Sequence, residues 1–218
     1  MTPRLGLTSS TASPILNVRS ETEATVPRHK QFDTDEVLDR AVLLFWEKGY
    51  EATSVQDLVD HMSINRFSLY DTFGSKHTLF LLALKRFFGQ MLEGGLAELE
   101  TSREGLGSIR AFLDRWIDLL TLSTRSRGCL VINSAIELAR RDPETAMQVA
   151  RHMGRMEEAL KAALLRARDL GEIDSAHALR DLARVVTGAV QGMSVMAKSG
   201  LDRAGLEGYA TVLLATLK

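Results

Sequence analysis

Proline placement constrains this chain most. Of four prolines in 218 residues, Pro3, Pro14 and Pro27 precede residue 28, and only Pro143 lies beyond. Proline removes a helical hydrogen bond and clashes with the preceding turn, so a long stretch almost free of it permits helix throughout. Leu, Ala, Glu and Arg, all helix formers, recur along that stretch. The hairpin dipeptides Asn-Gly and Asp-Gly are absent. The predicted fold class is all-α, with about nine helices by periodicity.

Composition excludes several classes. Hydrophobic residues at 45% and charged residues at 25% match a folded globular protein. No charge-free apolar run reaches the roughly 18 residues of a membrane span. The first 31 residues lack the apolar core, roughly 7–15 residues long, of a secretory signal, so a cytoplasmic location is expected. Cys129 is the one cysteine, which rules out an intrachain disulfide and a cysteine metal cluster. His29, His61, His77, His152 and His177 lack ligand spacing, so no metal or cofactor is expected. No phosphate-binding loop, H-E-x-x-H or G-x-S-x-G motif occurs, so no catalytic residue is assigned and no enzyme is expected. With a net charge of -1, any basic site must be local.

Three segments emerge. Residues 1–31, rich in Ser, Thr and Pro without a sustained period, read as a flexible arm. Its Arg19, Arg28, His29 and Lys30 are either incidental charges or contacts to DNA phosphates or a minor groove. Residues 32–78 hold short capped helices. The first spans about Thr34 to Lys48, capped by Asp33 or Thr34 and stopped by Gly49, with Leu38, Ala41, Leu44 and Phe45 on one face. The second spans about Ser54 to His61, with a capping-box spacing at Thr53 and Gln56 or at Ser54 and Asp57. After a break at Met62, Ser63 and Ile64, Asn65 caps a third helix from Arg66 to about Phe73. Gly74 ends it, and Ser75 caps a fourth helix running to about Leu92. Residues 79–218 form the remaining bundle.

Two short helices joined by a tight turn, the second bearing exposed polar groups, make a helix-turn-helix arrangement. Such a helix enters the major groove and brings its N-terminal residues to base edges. Spacing alone leaves other helical proteins open.

Three motifs narrow the choice: F-x-x-x-G-Y from Phe45 to Tyr50, T-S-V from Thr53 to Val55, and S-L-Y-x-x-F-x-S-K-x-x-L from Ser68 to Leu79. Over about residues 32–88 the chain resembles the DNA-binding domain of the TetR/AcrR family of transcriptional regulators. The resemblance implies a DNA-binding domain of three helices followed by a bundle for ligand binding and dimerisation. It implies an interface of Ser54 on a phosphate, Arg66, Phe67 and Ser68 toward bases, Tyr70 and Lys76 on the backbone, and Asn65 at the start of the third helix. Ser63 stands where the family usually has Gly, and so must accept a strained turn. Phe67 stands where a small residue is usual; it either packs on a thymine methyl or turns inward. From Arg28 to Arg86 eight basic residues face nine acidic ones, so affinity depends on placed contacts rather than bulk charge.

In the C-terminal half, amphipathic helices are expected over about Ser108–Leu122, Cys129–Arg140, Pro143–Leu170, Ser175–Lys198 and Arg203–Leu217. The stretch from Gly128 to Ala135 also looks like a C-terminal subgroup of that family. Phe112, Trp116, Cys129, Asn133, Met153 and Met156 either line a small-molecule pocket or form core; Asn133 is the residue most suited to orienting a ligand. Cys129 is either core or a thiol sensor activated by a helix N-terminus with Arg125 and Arg127 nearby. The last two helices offer a homodimer face through Val186, Ala189, Met193, Leu206, Tyr209 and Leu213, with Gly188 and Gly192 allowing close approach. The expected protein is a repressor that binds a near-palindromic operator in double-stranded DNA as a homodimer and is released by a small hydrophobic effector. A thiol-triggered regulator, or a helical binding protein without DNA affinity, remains the alternative.

Overall fold

The computed structural model describes residues 32–122, 127–173 and 178–218. The arm with Arg28 and Lys30, together with Arg125 and Ser175, lies outside them. The described residues contain ten helices and no strand. The first four are α1 (Thr34–Lys48), α2 (Val55–Met62), α3 (Arg66–Phe73) and α4 (Lys76–Met91). The remainder are α5 (Glu93–Thr101), α6 (Leu106–Leu120), α7 (Leu130–Leu138), α8 (Pro143–Asp169), α9 (Leu179–Lys198) and α10 (Arg203–Thr216).

The first four helices start and stop where local chemistry dictates. Asp33 caps α1 by accepting the Asp35 N–H at 2.8 Å. Ser54 and Asp57 form the reciprocal capping box of α2, which decides between the two spacings. Asn65 accepts the Ser68 N–H at 2.8 Å, and Ser75 accepts that of Thr78 at 3.0 Å. Each cap contributes about 1 kcal/mol. Ser63 closes α2 in the left-handed region at φ 57, the strained turn foreseen for a non-glycine residue there.

α5 was not foreseen. No helix was assigned between about Leu92 and Ser108, and Gly94 and Gly95 there each weaken a helix by about 1 kcal/mol relative to alanine. Leu92, Leu96 and Leu99 are nonetheless fully buried, at the spacing of one helical face. Gly95 sits where an added Cβ would lie 3.3 Å from the Phe112 ring, so its smallness admits α6. Arg155 of α8 then clamps Glu93 and Glu100, each at 2.8 Å.

Residues 32–218 form one compact unit. α4 lies along α1 and continues to α8, which also packs on α5, α6, α7 and α9, while α10 covers α6 and α9. The division expected at residues 78 and 79 falls inside the first turn of α4, and the same core runs across it. Phe45, Phe80 and Phe87 are fully buried at this junction, with Phe45 edge-on to Phe80 at 5.2 Å. Arg86 of α4 grips Asp39 of α1 with two hydrogen bonds, 2.6 and 2.8 Å.

Candidate nucleic-acid interface

The expected interface residues lie on α3, at the caps of α2 and α3, and at the first residue of α4. Leu58, Val59, Leu69 and Phe73 are buried, and this orients the opposite faces outward. Ser54, Asn65, Arg66 and Tyr70 are exposed, Ser68 is half-buried, and Phe67 is 72% exposed. The large apolar Phe67 ring therefore points to solvent rather than inward. Among the described residues no carboxylate pairs with Arg66 or Lys76.

Electrostatics sort the nearby cations. Lys48 is tied to Asp57 at 2.8 Å, and Arg86 to Asp39 and Asp35. The hydrogen bond from Lys48, then those from Ser54, hold the Asp57 carboxyl well below the usual carboxylate range. The Ser54 hydroxyl donates to that carboxylate at 2.6 Å, so a phosphate must compete for it. Lys76 instead lies over the Tyr50 ring, 4.2 Å from its centroid. This contact leaves its charge unneutralised.

The C-terminal half meets this surface at several points. Glu137 of α7 accepts the N–H of Tyr50 at 3.0 Å and of Glu51 at 2.7 Å. Trp46 donates to the Gly128 carbonyl at 2.9 Å. His77, beside Lys76, bonds Asp142, the cap of α8, at 2.7 Å. Burial would raise the Asp142 carboxyl, but hydrogen bonds from Thr145 and His77 outweigh it and hold the group at about 2. Tyr50, Glu137 and His77 were missing from the expected site. The hydrogen bonds from Tyr50 to Glu137 and between His77 and Asp142 span 87 and 65 positions, and only the G-Y motif pointed to one of these residues.

Among the described residues, the six expected pocket residues fall in two different surroundings. Phe112, Trp116 and Met156 are buried in close packing, Trp116 donating to the Val190 carbonyl at 3.1 Å and Met156 sulfur accepting from Gln191 at 3.4 Å. Met153 is partly buried against the same core. Cys129 and Asn133 line a different space, an open cleft of about 350 Å³ bounded by Trp46 and Gly49 of the α1 end, Ile136 and Glu137 of α7, and Lys198 of α9. There Asn133 donates to the Arg127 carbonyl at 3.0 Å and accepts from Lys198 at 3.0 Å. Burial pushes the Cys129 thiol up to about 11, outweighing hydrogen bonds from Ile132 and Val131 N–H groups. The activation expected from the helix N-terminus does not prevail, and Arg127 lies over the Trp46 ring instead.

The expected dimer residues also change role. Val186, Ala189, Met193, Leu206 and Leu213 are buried within the protomer, and Tyr209 is half-buried. The outward face of α9 carries Val185, Gly188 and Val195, and that of α10 carries Gly208, Val212 and Ala215. The position of a Cβ on Gly188 or Gly208 meets only open space, whereas at Gly192 it meets the chain's own Tyr209 hydroxyl at 3.9 Å.

An exposed recognition helix on a helical bundle, with unneutralised cations at its rim, defines a helix-turn-helix DNA-binding regulator. Residues 37–83 match the family described as bacterial regulatory proteins, tetR family, and residues 105–212 match the tetracyclin repressor-like C-terminal domain. The chain is 39% identical over 195 residues to YezE, an uncharacterised HTH-type transcriptional regulator of Bacillus subtilis, covering 87% of this chain and 98% of that protein. It is 30% identical over 192 residues to the HTH-type transcriptional repressor ComR of Escherichia coli, covering 88% and 90%. Among solved structures it is similar to a cysteine mutant of the TetR family transcriptional regulator CifR complexed with 26bp double-strand operator DNA. That similarity has a TM-score of 0.79 and 26% identity, covering 88% of this chain and all of that one. The chain belongs to the TetR family of DNA-binding transcriptional regulators, and it is not an enzyme.

Proposed function

We propose that this regulator is a repressor that binds a near-palindromic operator as a homodimer and leaves it when a small molecule binds. The exposed α3 surface carries this reading: Arg66, Phe67 and Ser68 toward bases, Ser54, Tyr70 and Lys76 on phosphates, and Asn65 at the helix start. ComR, a relative over nearly its whole length, is named a repressor, and the CifR neighbour is bound to operator DNA. Both support the reading. The two protomers pair through the outward faces of α9 and α10, whose small residues let helices approach closely. A two-fold axis there sets two recognition helices about one DNA turn, roughly 34–36 Å, apart.

The effector site is the α1–α7–α9 cleft. It touches the end of α1, next to the DNA-reading helices, and also α9, next to the dimer face. Ile132, Ile136 and Val195 favour an apolar ligand body, and Asn133 with Lys198 favours one polar end. A thiol-triggered mechanism is disfavoured because a buried thiol of raised pKa is a poor nucleophile. Selection of bound fragments from genomic DNA, followed by effector screening for release, tests the reading. Asn133→Ala should weaken release at least about fivefold if the coupling is near 1 kcal/mol. Unchanged release would move the effector elsewhere.

A further inference from the structure

Tyr50 occupies the turn between α1 and α2. Its ring is half-buried against Phe80, centroids 4.9 Å apart, and lies edge-on to His77 at 6.2 Å. The Lys76 ammonium stands 4.2 Å from its centroid. Its backbone N–H and that of Glu51 are both bound by the Glu137 carboxylate of α7. Gly49, at φ +82, lets the turn close on that carboxylate; an added Cβ would lie 2.9 Å from it.

These contacts form one chain of support. A free lysine side chain loses rotamer entropy when it is held in one place. An aromatic face restrains the ammonium through its quadrupole and leaves the positive charge intact. The carboxylates that hold Lys48 and Arg86 do the opposite. Phe80 and Phe45 fix the ring, and Glu137 fixes the backbone carrying it.

We propose that Tyr50 is a positioning residue for operator binding, which pre-sets Lys76 for a phosphate, and that Glu137 transmits movement of α7 to it. The proposal rests on Lys76 contacting DNA. A ligand that displaces α7 in the cleft breaks both hydrogen bonds from these N–H groups to Glu137 at once and releases the ring from beneath the ammonium. The coupling therefore passes through the α1–α2 turn, beside whatever α4 itself transmits.

A double-mutant cycle on the full chain tests this, with operator affinity read across a salt series. Lys76→Ala should reduce the slope of log affinity against log salt by about two per dimer, one contact from each protomer. If it leaves the slope unchanged, Lys76 does not touch DNA, and the interface reading and this proposal fall together. Tyr50→Phe should bind as wild type. Tyr50→Leu should bind about tenfold more weakly with Lys76 present and lose nothing further in the Lys76→Ala background. Equal losses in both backgrounds would overturn the positioning role while leaving the phosphate contact in place. Phenylalanines of increasing fluorination at position 50 keep the ring's shape while removing its negative face. Affinity should fall with each fluorine when Lys76 is present and stay flat when it is absent; a flat series in both overturns the proposal even if Tyr50→Leu fails to fold. Glu137→Ala should repeat the Tyr50→Leu pattern, and an undiminished affinity would remove Glu137 from the chain of support.

Discussion

Single residues carry two of the testable consequences. Ser63 is the one described non-glycine residue at positive φ, and its left-handed conformation costs a residue with a Cβ about 1 kcal/mol. Ser63→Gly should therefore stabilise the fold by roughly that amount, raising the melting temperature by about 2–4 °C for a chain of this size. An unchanged or lower melting temperature would mean that the Ser63 side chain compensates its own strain. His152 is the second case. It is buried in α8 against Phe88, ring centroids 4.0 Å apart. Burial first, then the positive charge of Arg151, lowers its pKa to about 4, with Glu93 opposing. The unfolded chain takes up this proton near pH 6.5, so acidification between 6.5 and about 4 favours unfolding. Denaturant midpoints should fall over that window in wild type and change less in His152→Leu. Parallel curves would place the titration elsewhere.

At the scale of elements, α3 is built to be read from outside. Its inner face is a short apolar stripe of Leu69 and Phe73, and its outer face exposes Phe67, which the proposed function turns toward bases. An aromatic ring in that position packs on a thymine methyl, a contact that discriminates bases by apolar fit. Replacing thymine by uracil in the selected operator should weaken wild type by about 1 kcal/mol and leave Phe67→Ala unaffected. Equal losses in both would assign the methyl to another residue. The α1 to α4 boundaries were legible in sequence because Asp33, Ser54, Asn65 and Ser75 act within three residues of their targets. α5 was not legible, because its stability comes from Leu96 and Leu99 meeting α6 and α8 and from Arg155, more than 50 positions away in the chain.

At the scale of the molecule, helical periodicity identified which residues are apolar and left open which neighbour they meet. Val186, Met193 and Leu206 satisfy a dimer stripe and a core stripe equally well in sequence; only the packing of α8 and α10 around α9 assigns them to the core. Cys129 and Asn133 were likewise separated from Trp116 by tertiary packing that no local spacing encodes. The dimer face proposed on α9 and α10 makes its own prediction. Val212→Asp should convert a dimer to a monomer in light scattering at micromolar concentration, because it places two charges near a two-fold axis, while Leu182→Asp, on the half-buried flank of α9, should not. A dimer that survives Val212→Asp would place the interface elsewhere.

On the proposed function, α3 reads an operator in paired half-sites. Footprinting of the full chain on a fragment selected from genomic DNA tests it most directly. Two protected half-sites related by two-fold symmetry are expected, their centres about one DNA turn apart, with protection lost in Arg66→Ala and in Tyr70→Ala at unchanged melting temperature. A single protected site, or protection undiminished in both variants, would contradict it.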